Sequence, residues 1–211
     1  MKLKLLNRLQ EHKKWLTGFE GNSNPEAKSL GQKLELVEAV ISDIEIESQD
    51  FSSAELFGCE FINVNFVKCS FCHTKAWRSK FSNCTFDDCA LVKAQLNDVI
   101  FENAIFKGCD FQKSDLSGAS LLSAEFVSCD LSWAWLLGTD FRFSKFDGVA
   151  LDNARIDCAK FFNIKMLRTN SLNNLVFKEV DLSMNGDGSL MVDNEAFNSW
   201  LNSQSIEMGS E

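Results

Sequence analysis

Every fifth residue from Leu36 to Met166 is large and apolar at 26 of 27 positions, Ala76 being the exception. Two residues before each of these stands a second phased set, 23 of 27 being Ala, Cys, Ser, Thr or Val, as at Ala54, Cys59, Val64 and Cys69. The unit reads small, polar, large, polar, polar, for instance Ala104-Ile105-Phe106-Lys107-Gly108. This period fits neither regular element: a helix advances about 100° per residue, so five steps drift off the face, and an odd step in a strand flips the side chain to the other side. The chain must therefore turn a corner in every unit. Four corners close a coil of about 20 residues with both the large and the small residue pointing inward, and coils stack at the β spacing of roughly 4.8 Å.

Glycine agrees with the corners. All five glycines between residues 34 and 167 (Gly58, Gly108, Gly118, Gly138, Gly148) fall two places after the large residue, where a tight turn gains from permissive backbone. Sorting the large residues by twenties gives four inner walls. One, Leu36-Leu56-Ala76-Leu96-Leu116-Leu136-Ile156, is aliphatic, two are mainly phenylalanine, and the fourth mixes Phe71 and Phe111 with Leu91, Leu131 and Leu151.

Units such as Ser114-Asp115-Leu116-Ser117-Gly118 carry a resemblance. Over about residues 34–184 the sequence resembles the pentapeptide-repeat family, whose consensus is A(D/N)LXX. The resemblance implies an all-β solenoid, a right-handed quadrilateral β-helix, and a protein without enzymatic activity; the handedness comes from the resemblance alone. The phase slips by one at Ser171, after which Leu172, Phe177 and Leu182 resume it, so a bulge or widened loop is expected there.

A solenoid exposes its core at both ends and needs caps. Residues 1–33 read as a helical leader, with Leu5, Leu6, Leu9, Lys13 and Leu16 at helical spacing, and His12-Lys13-Lys14-Trp15-Leu16-Thr17-Gly18 is similar to a leader preceding the repeats in many bacterial members. Seven Lys or Arg against three acids in this leader face eight acids and no base in residues 34–67, so the leader is expected to fold back on the first coils. Val37, Phe57 and Trp77, stacked outward on one wall, are its expected apolar seat. Residues 185–211 read as a turn, a helix and a tail, with Leu190, Phe197, Trp200 and Leu201 on one stripe. Such an end caps the tube, and in some family members it mediates dimers, so monomer and homodimer through this helix both stand.

Charge narrows the partners. The net charge of −9 argues against direct nucleic-acid or anionic-membrane binding, which need a basic surface, and a charged partner is expected to be basic. No stretch approaches 18 consecutive apolar residues and Lys2, Lys4, Arg8 and Lys13 interrupt the start, so no membrane span or signal peptide is expected and the protein is read as cytoplasmic. Its eight cysteines are then expected to be reduced. Six of them (59, 69, 84, 89, 109, 129) hold the small inward site as compact hydrophobes.

Three motifs invite chemistry that the register opposes. Cys69-Ser70-Phe71-Cys72-His73 matches the c-type haem string, yet Cys69 points in and Cys72 out. A zinc set of Cys69, Cys72, Cys84 and Cys89 fails for the same reason. Ser183 to Asn194 resembles an EF-hand calcium loop, with Asn185 and Asp187 at ligand positions and Gly188 at the turn, but Ser183 and Asn194 stand where Asp and the bidentate Glu belong. The two histidines, His12 and His73, have no nucleophile placed beside them, and no glycine-rich phosphate loop is present. No cofactor and no metal are expected.

What remains is surface. Asp110, Lys113, Asp115, Asp130, Trp133 and Trp135 project where the fourth wall meets the first, with Leu137 beside them. Exposed tryptophan near carboxylates is the composition of a protein-binding hot spot, unless the C-terminal segment covers it. The reading is an acidic, non-enzymatic protein-binding module. A second reading follows from the resemblance, since some members imitate B-DNA and protect DNA gyrase, a type II topoisomerase, from quinolones or toxins. A third is an accessory or immunity protein of a toxin or secretion system.

Overall fold

The computed structural model describes residues 2–19, 31–167, 172–193, 195–197 and 199–200. Each five-residue unit makes at most three residues of extended chain before it turns. The first three are β1 (Glu35–Val37), β2 (Val40–Ser42) and β3 (Glu45–Glu47), each with its large middle residue buried and its flanks outward. Pairing is parallel and 20 residues apart: Glu35 with Glu55, Val40 with Glu60, Glu45 with Asn65, and Asp50 with Ser70. Four ladders of this kind run along the chain and make it a parallel β-solenoid.

All 27 large-site residues, Ala76 included, are buried. Phenylalanines of successive coils stack face to face, as in Phe66, Phe86, Phe106 and Phe126, whose ring centroids are 4.8, 4.9 and 4.9 Å apart. Adjacent walls meet edge to face, for example Phe106 on Phe111 at 5.1 Å. Rings in these two arrangements favour the pairing beyond their area burial, which fixes each rung against its neighbours.

The small site has its own chemistry. Most thiols and hydroxyls there donate to the carbonyl of the large residue 23 positions earlier, in the coil before: Thr74 Oγ1 to Phe51 at 2.7 Å, Cys69 Sγ to Ile46 at 3.2 Å, Cys84 Sγ to Phe61 at 3.4 Å; Ser144 donates to Phe141 of its own coil instead. A buried polar group costs little when it is bonded, which is why Cys, Ser and Thr alternate freely with Ala.

The corner residues share one backbone state. Every residue in the five-step series from Glu38 to Asn163 has a positive φ, Gly58, Gly108, Gly118, Gly138 and Gly148 being only the glycine members. Asn, Asp, Ser and Lys fill most of the rest, and Trp133 and Phe143 hold it at φ 63° and 61°.

In the last coil the pairing changes from 20 to 21 residues, with Arg155 beside Val176 and Lys160 beside Asp181. The extra residue fits the slip in phase. Ser171 itself, where a bulge was expected, lies outside the described residues.

Helix α1 (Lys2–Phe19) caps the first coil, but not on the expected seat. Its buried stripe is Leu5, Leu9 and His12, while Lys13 is exposed. It lies across the open end of the tube, where Leu34 donates its N–H to His12 and Gln32 donates to the Glu11 carbonyl. Val37 and Trp77 stay 66% and 43% exposed and line an open groove of about 520 Å³ with Phe57. The end of the tube wins because Leu34 and Leu36 would otherwise face water there, whereas the wall ladder is already half shielded by its own stacking, Phe57 on Trp77 at 5.4 Å.

At the other end Val180–Asp181 pairs antiparallel with Met191–Val192, and the helical residues 195–197 and 199–200 bring Phe197 down onto Phe161 at 5.3 Å. Phe197 is 1% exposed, whereas Leu190, expected on the same stripe, is 52% exposed because it precedes the helix in the strand connection. Leu201 lies outside the described residues.

Candidate functional site

The corner between the fourth and first ladders takes its shape from the repeat. Trp133 occupies the positive-φ corner position, and Trp135 stands two residues on at the start of the next unit. Both point outward, 55% and 51% exposed, because only the third and fifth steps around them, Leu131, Ala134 and Leu136, face the core. Asp115, Trp135 and Arg155 are neighbours in one ladder, and the Arg155 guanidinium lies 5.6 Å from the Trp135 ring centroid. Asp110 pairs with Asp130 in the adjacent ladder, Lys113 is exposed at the corner below Trp133, and Leu137 is half-buried beside Trp135. The expected set is thus brought together on one edge of the tube.

Its carboxylates are not simply solvated. Asp110 Oδ1 accepts the N–H of Gln112 at 2.9 Å, Asp115 Oδ1 that of Ser117 at 3.0 Å, and Asp130 Oδ1 that of Ser132 at 2.8 Å, while Gln112 Nε2 donates to Asp130 Oδ2 at 2.6 Å. Asp50, Asp140 and Asp181 do the same with Ser52, Arg142 and Ser183. An aspartate just before the large residue bonds the N–H two places on and closes the turn, which is the physical reason that Asp recurs at this step. The signal was available in the sequence as Asp immediately before a large residue. One oxygen of each carboxylate serves the fold and the other remains for a partner or a neighbour.

The inward cysteines are placed for packing. Burial raises the Cys59 thiol and pushes Cys84 up to about 11. Along the column Cys69-Cys89-Cys109-Cys129, contact with the next thiol and then burial push Cys69 and Cys109 up. Cys72 is half-buried and outward, so the two cysteines of the haem-like string lie on opposite sides of the wall.

The loop that begins at Ser183, calcium-like in sequence, is organised from within. Asp181, 2% exposed, accepts N–H groups of Ser183 and Gly188 at 2.8 and 2.9 Å. Arg142 donates to the Met184 carbonyl at 2.9 Å, and a Cβ at Gly186 would meet both Lys160 and Arg142. Asp187 turns to the Ser189 N–H, which holds its carboxyl below the usual range. Two cationic side chains therefore rest against the loop, and Asn194 lies outside the described residues.

Among the described residues no helix is long and apolar enough to cross a membrane. Two family models match: "Pentapeptide repeats (8 copies)" over residues 50–88 and "Pentapeptide repeat region" over residues 79–156. Of the curated proteins, none matches. Among solved structures, a pentapeptide repeat protein of the Arabidopsis thaliana thylakoid lumen is 19% identical at a TM-score of 0.37. That match covers 47% of this chain and 66% of the other, just under two thirds of its length. QnrB1, a plasmid-mediated fluoroquinolone resistance protein, is 14% identical over 78% of this chain and 99% of its own, at a TM-score of 0.39. Rfr23, from the cyanobacterium Cyanothece 51142, is 13% identical over 68% and 91%, also at 0.39. Two phased inward sites, a 20-residue coil and two adjoining family models that span just over half of the sequence make the chain a member of the pentapeptide-repeat proteins.

Proposed function

We propose that this chain is a non-enzymatic, cytoplasmic protein-binding rod whose acidic exterior meets a basic partner at the Trp133–Trp135 corner. The carrying observation is Trp133: a bulky side chain kept at φ 63° and 55% exposed, at a step that the same fold fills elsewhere mostly with Gly, Asn, Asp, Ser or Lys and with one other aromatic residue of this size, Phe143. Stability alone does not favour such a residue, and strain of this kind belongs to sites retained for another reason. Trp135 and Leu137 extend the apolar contact, and the second carboxylate oxygens of Asp110 and Asp115, with Asp130 held by Ser132 and Gln112 beside them, rim it, an arrangement suited to an anchor surrounded by charge. Beyond residue 33 the chain carries 27 acids against 14 bases, which favours a basic counterpart.

The test compares partner capture by the wild type and by the Trp133→Ala/Trp135→Ala double variant in extracts of the source organism, followed by titration of the purified partner. A weakening of at least tenfold in the double variant, with unchanged thermal melting, is expected (about 1.4 kcal/mol). Equal capture by a folded double variant sinks the site.

The gyrase reading draws on the same charge excess. Against it stand acids already neutralised along the ladders: Glu55 bonds Lys33 at 2.6 Å, and Glu125 bonds Lys145 at 2.7 Å. A supercoiling assay with ciprofloxacin separates the two, since the corner-binding reading expects neither protection nor inhibition of gyrase at micromolar protein.

A further inference from the structure

Of the two histidines in the chain, His12 is buried and His73 exposed. It is 0% exposed on the inner stripe of α1, between Leu9 and the face of the first coil. The Leu34 N–H donates to its Nδ1 at 3.0 Å, and its Nε2 lies 2.9 Å from the Ser52 carbonyl oxygen. These two partners settle the ring: Nδ1 accepts, so Nε2 carries the proton and donates, and the imidazole is neutral. Leu34 opens the first coil and Ser52 closes it, so one side chain ties both ends of that coil to the cap.

A protonated ring does not fit this site. A second N–H at Nδ1 would face the Leu34 N–H, leaving two donors opposed at a fully buried ring and placing a cation in apolar surroundings. The groups around it do not compensate. Desolvation holds the His12 pKa below its ordinary value of 6.5; the Ser52 carbonyl and the Asp50 carboxylate work the other way, and Lys33 adds repulsion. On its own helix Trp15 stacks on the ring at 5.4 Å, with Lys33 in turn 5.9 Å from the Trp15 ring, and Glu11 is engaged by Lys14 at 2.6 Å. The apolar hold of α1 comes from Leu5 and Leu9, with Leu6 partly buried against the same core, and polar contacts at its edge join Arg8 to the Glu35 carbonyl and Gln32 to the Glu11 carbonyl.

We infer that α1 is an acid-released cap: taking up a proton at His12 detaches the helix from the first coil and uncovers β1, β2 and β3, which are paired with strands on one side only. The sign follows from the neutral requirement. The attachment is complete above about pH 6.5 and is lost as pH falls from there through the lower pKa of the capped state. Most carboxylates keep their charge in this window, their ordinary values lying near 4.

The test is amide hydrogen exchange of the full chain at pH 7.5 and 5.5, normalised for intrinsic rates, read at the Leu34 amide and over residues 3–16, together with an NMR titration of the His12 ring. In the wild type, Leu34 protection should fall about tenfold or more at pH 5.5, with a midpoint that coincides with ring protonation below pH 6.5. His12→Gln keeps an acceptor and a donor but cannot titrate, so its protection should not respond to pH; His73→Gln, at an exposed corner, should behave as wild type. Protection unchanged in the wild type, or a wild-type response retained in His12→Gln, overturns the inference. Should His12→Gln lack the cap at pH 7.5, the wild-type midpoints decide: coincidence supports release by His12 and separation refutes it.

Discussion

Ser79 Oγ donates to the Leu56 carbonyl across one coil at 2.5 Å and accepts the Cys59 N–H at 2.9 Å, so one hydroxyl serves two buried backbone groups. Ser114 occupies the same inward site, yet its hydroxyl, equally buried, has no partner among the described residues. The two serines should respond in opposite directions to the same change. Ser79→Ala should destabilise by roughly 2 kcal/mol, since it strands a donor and an acceptor, whereas Ser114→Ala should stabilise by about 1 kcal/mol by removing an unsatisfied hydroxyl. Thermal melting checks both; at this chain length each kcal/mol moves the midpoint by about 2–4 °C.

Trp133 offers a test of stability against use. Asparagine tolerates the left-handed region that an indole-bearing residue occupies only under strain. Trp133→Asn should therefore melt no lower than wild type and up to about 1 kcal/mol higher, while partner affinity falls. A clear drop in melting would show that the indole serves the fold.

Arg142 joins the body of the tube to its C-terminal loop. Its Nη2 meets Asp140 Oδ2 at 2.6 Å with both side chains less than a fifth exposed, and its Nη1 holds the Met184 carbonyl. Burial works to raise the Asp140 carboxyl, but hydrogen bonds from the Arg142 side chain and backbone outweigh it and hold the group below its ordinary 3.8. A depressed acid contributes stability above its unfolded pKa and loses it as pH falls through the folded one, so the pair acts in full above about pH 4 and fades below. Arg142→Met should cost roughly 2 kcal/mol at pH 7, and the difference from wild type should shrink below pH 4, measured by urea unfolding at both pH values.

Much of this was legible in the residues. Phe101, Phe106 and Phe111 are inward because period and phase admit no other arrangement, and the slip near Ser171 showed as a register of 21 beyond it. The corner state was visible only at its glycines, since Lys93, Asn103 or Ser123 look ordinary until a positive φ is seen. The seat of α1 was not legible. Val37, Phe57 and Trp77 form a regular apolar column, while the true contact joins His12 to Leu34 and Ser52, residues 22 and 40 apart with no shared period. The helical stripe Leu5, Leu9, His12 was there to be read, but a polar side chain on an apolar stripe gives no sign of its partners before the coil is built.

The odd residue of the final coil has a bearing on how such a chain can lengthen. Because rungs align at 20 residues everywhere before it, duplicating any in-frame stretch of about sixty nucleotides within the even part adds a whole layer without mismatching a single side chain. A lone inserted codon in that part has to be taken up as a bulge in its own coil before the phase resumes, as the rungs Arg155–Val176 and Lys160–Asp181 resume at 21 residues. Beyond Lys160 few rungs follow, so an uneven count there leaves almost no later layer to realign.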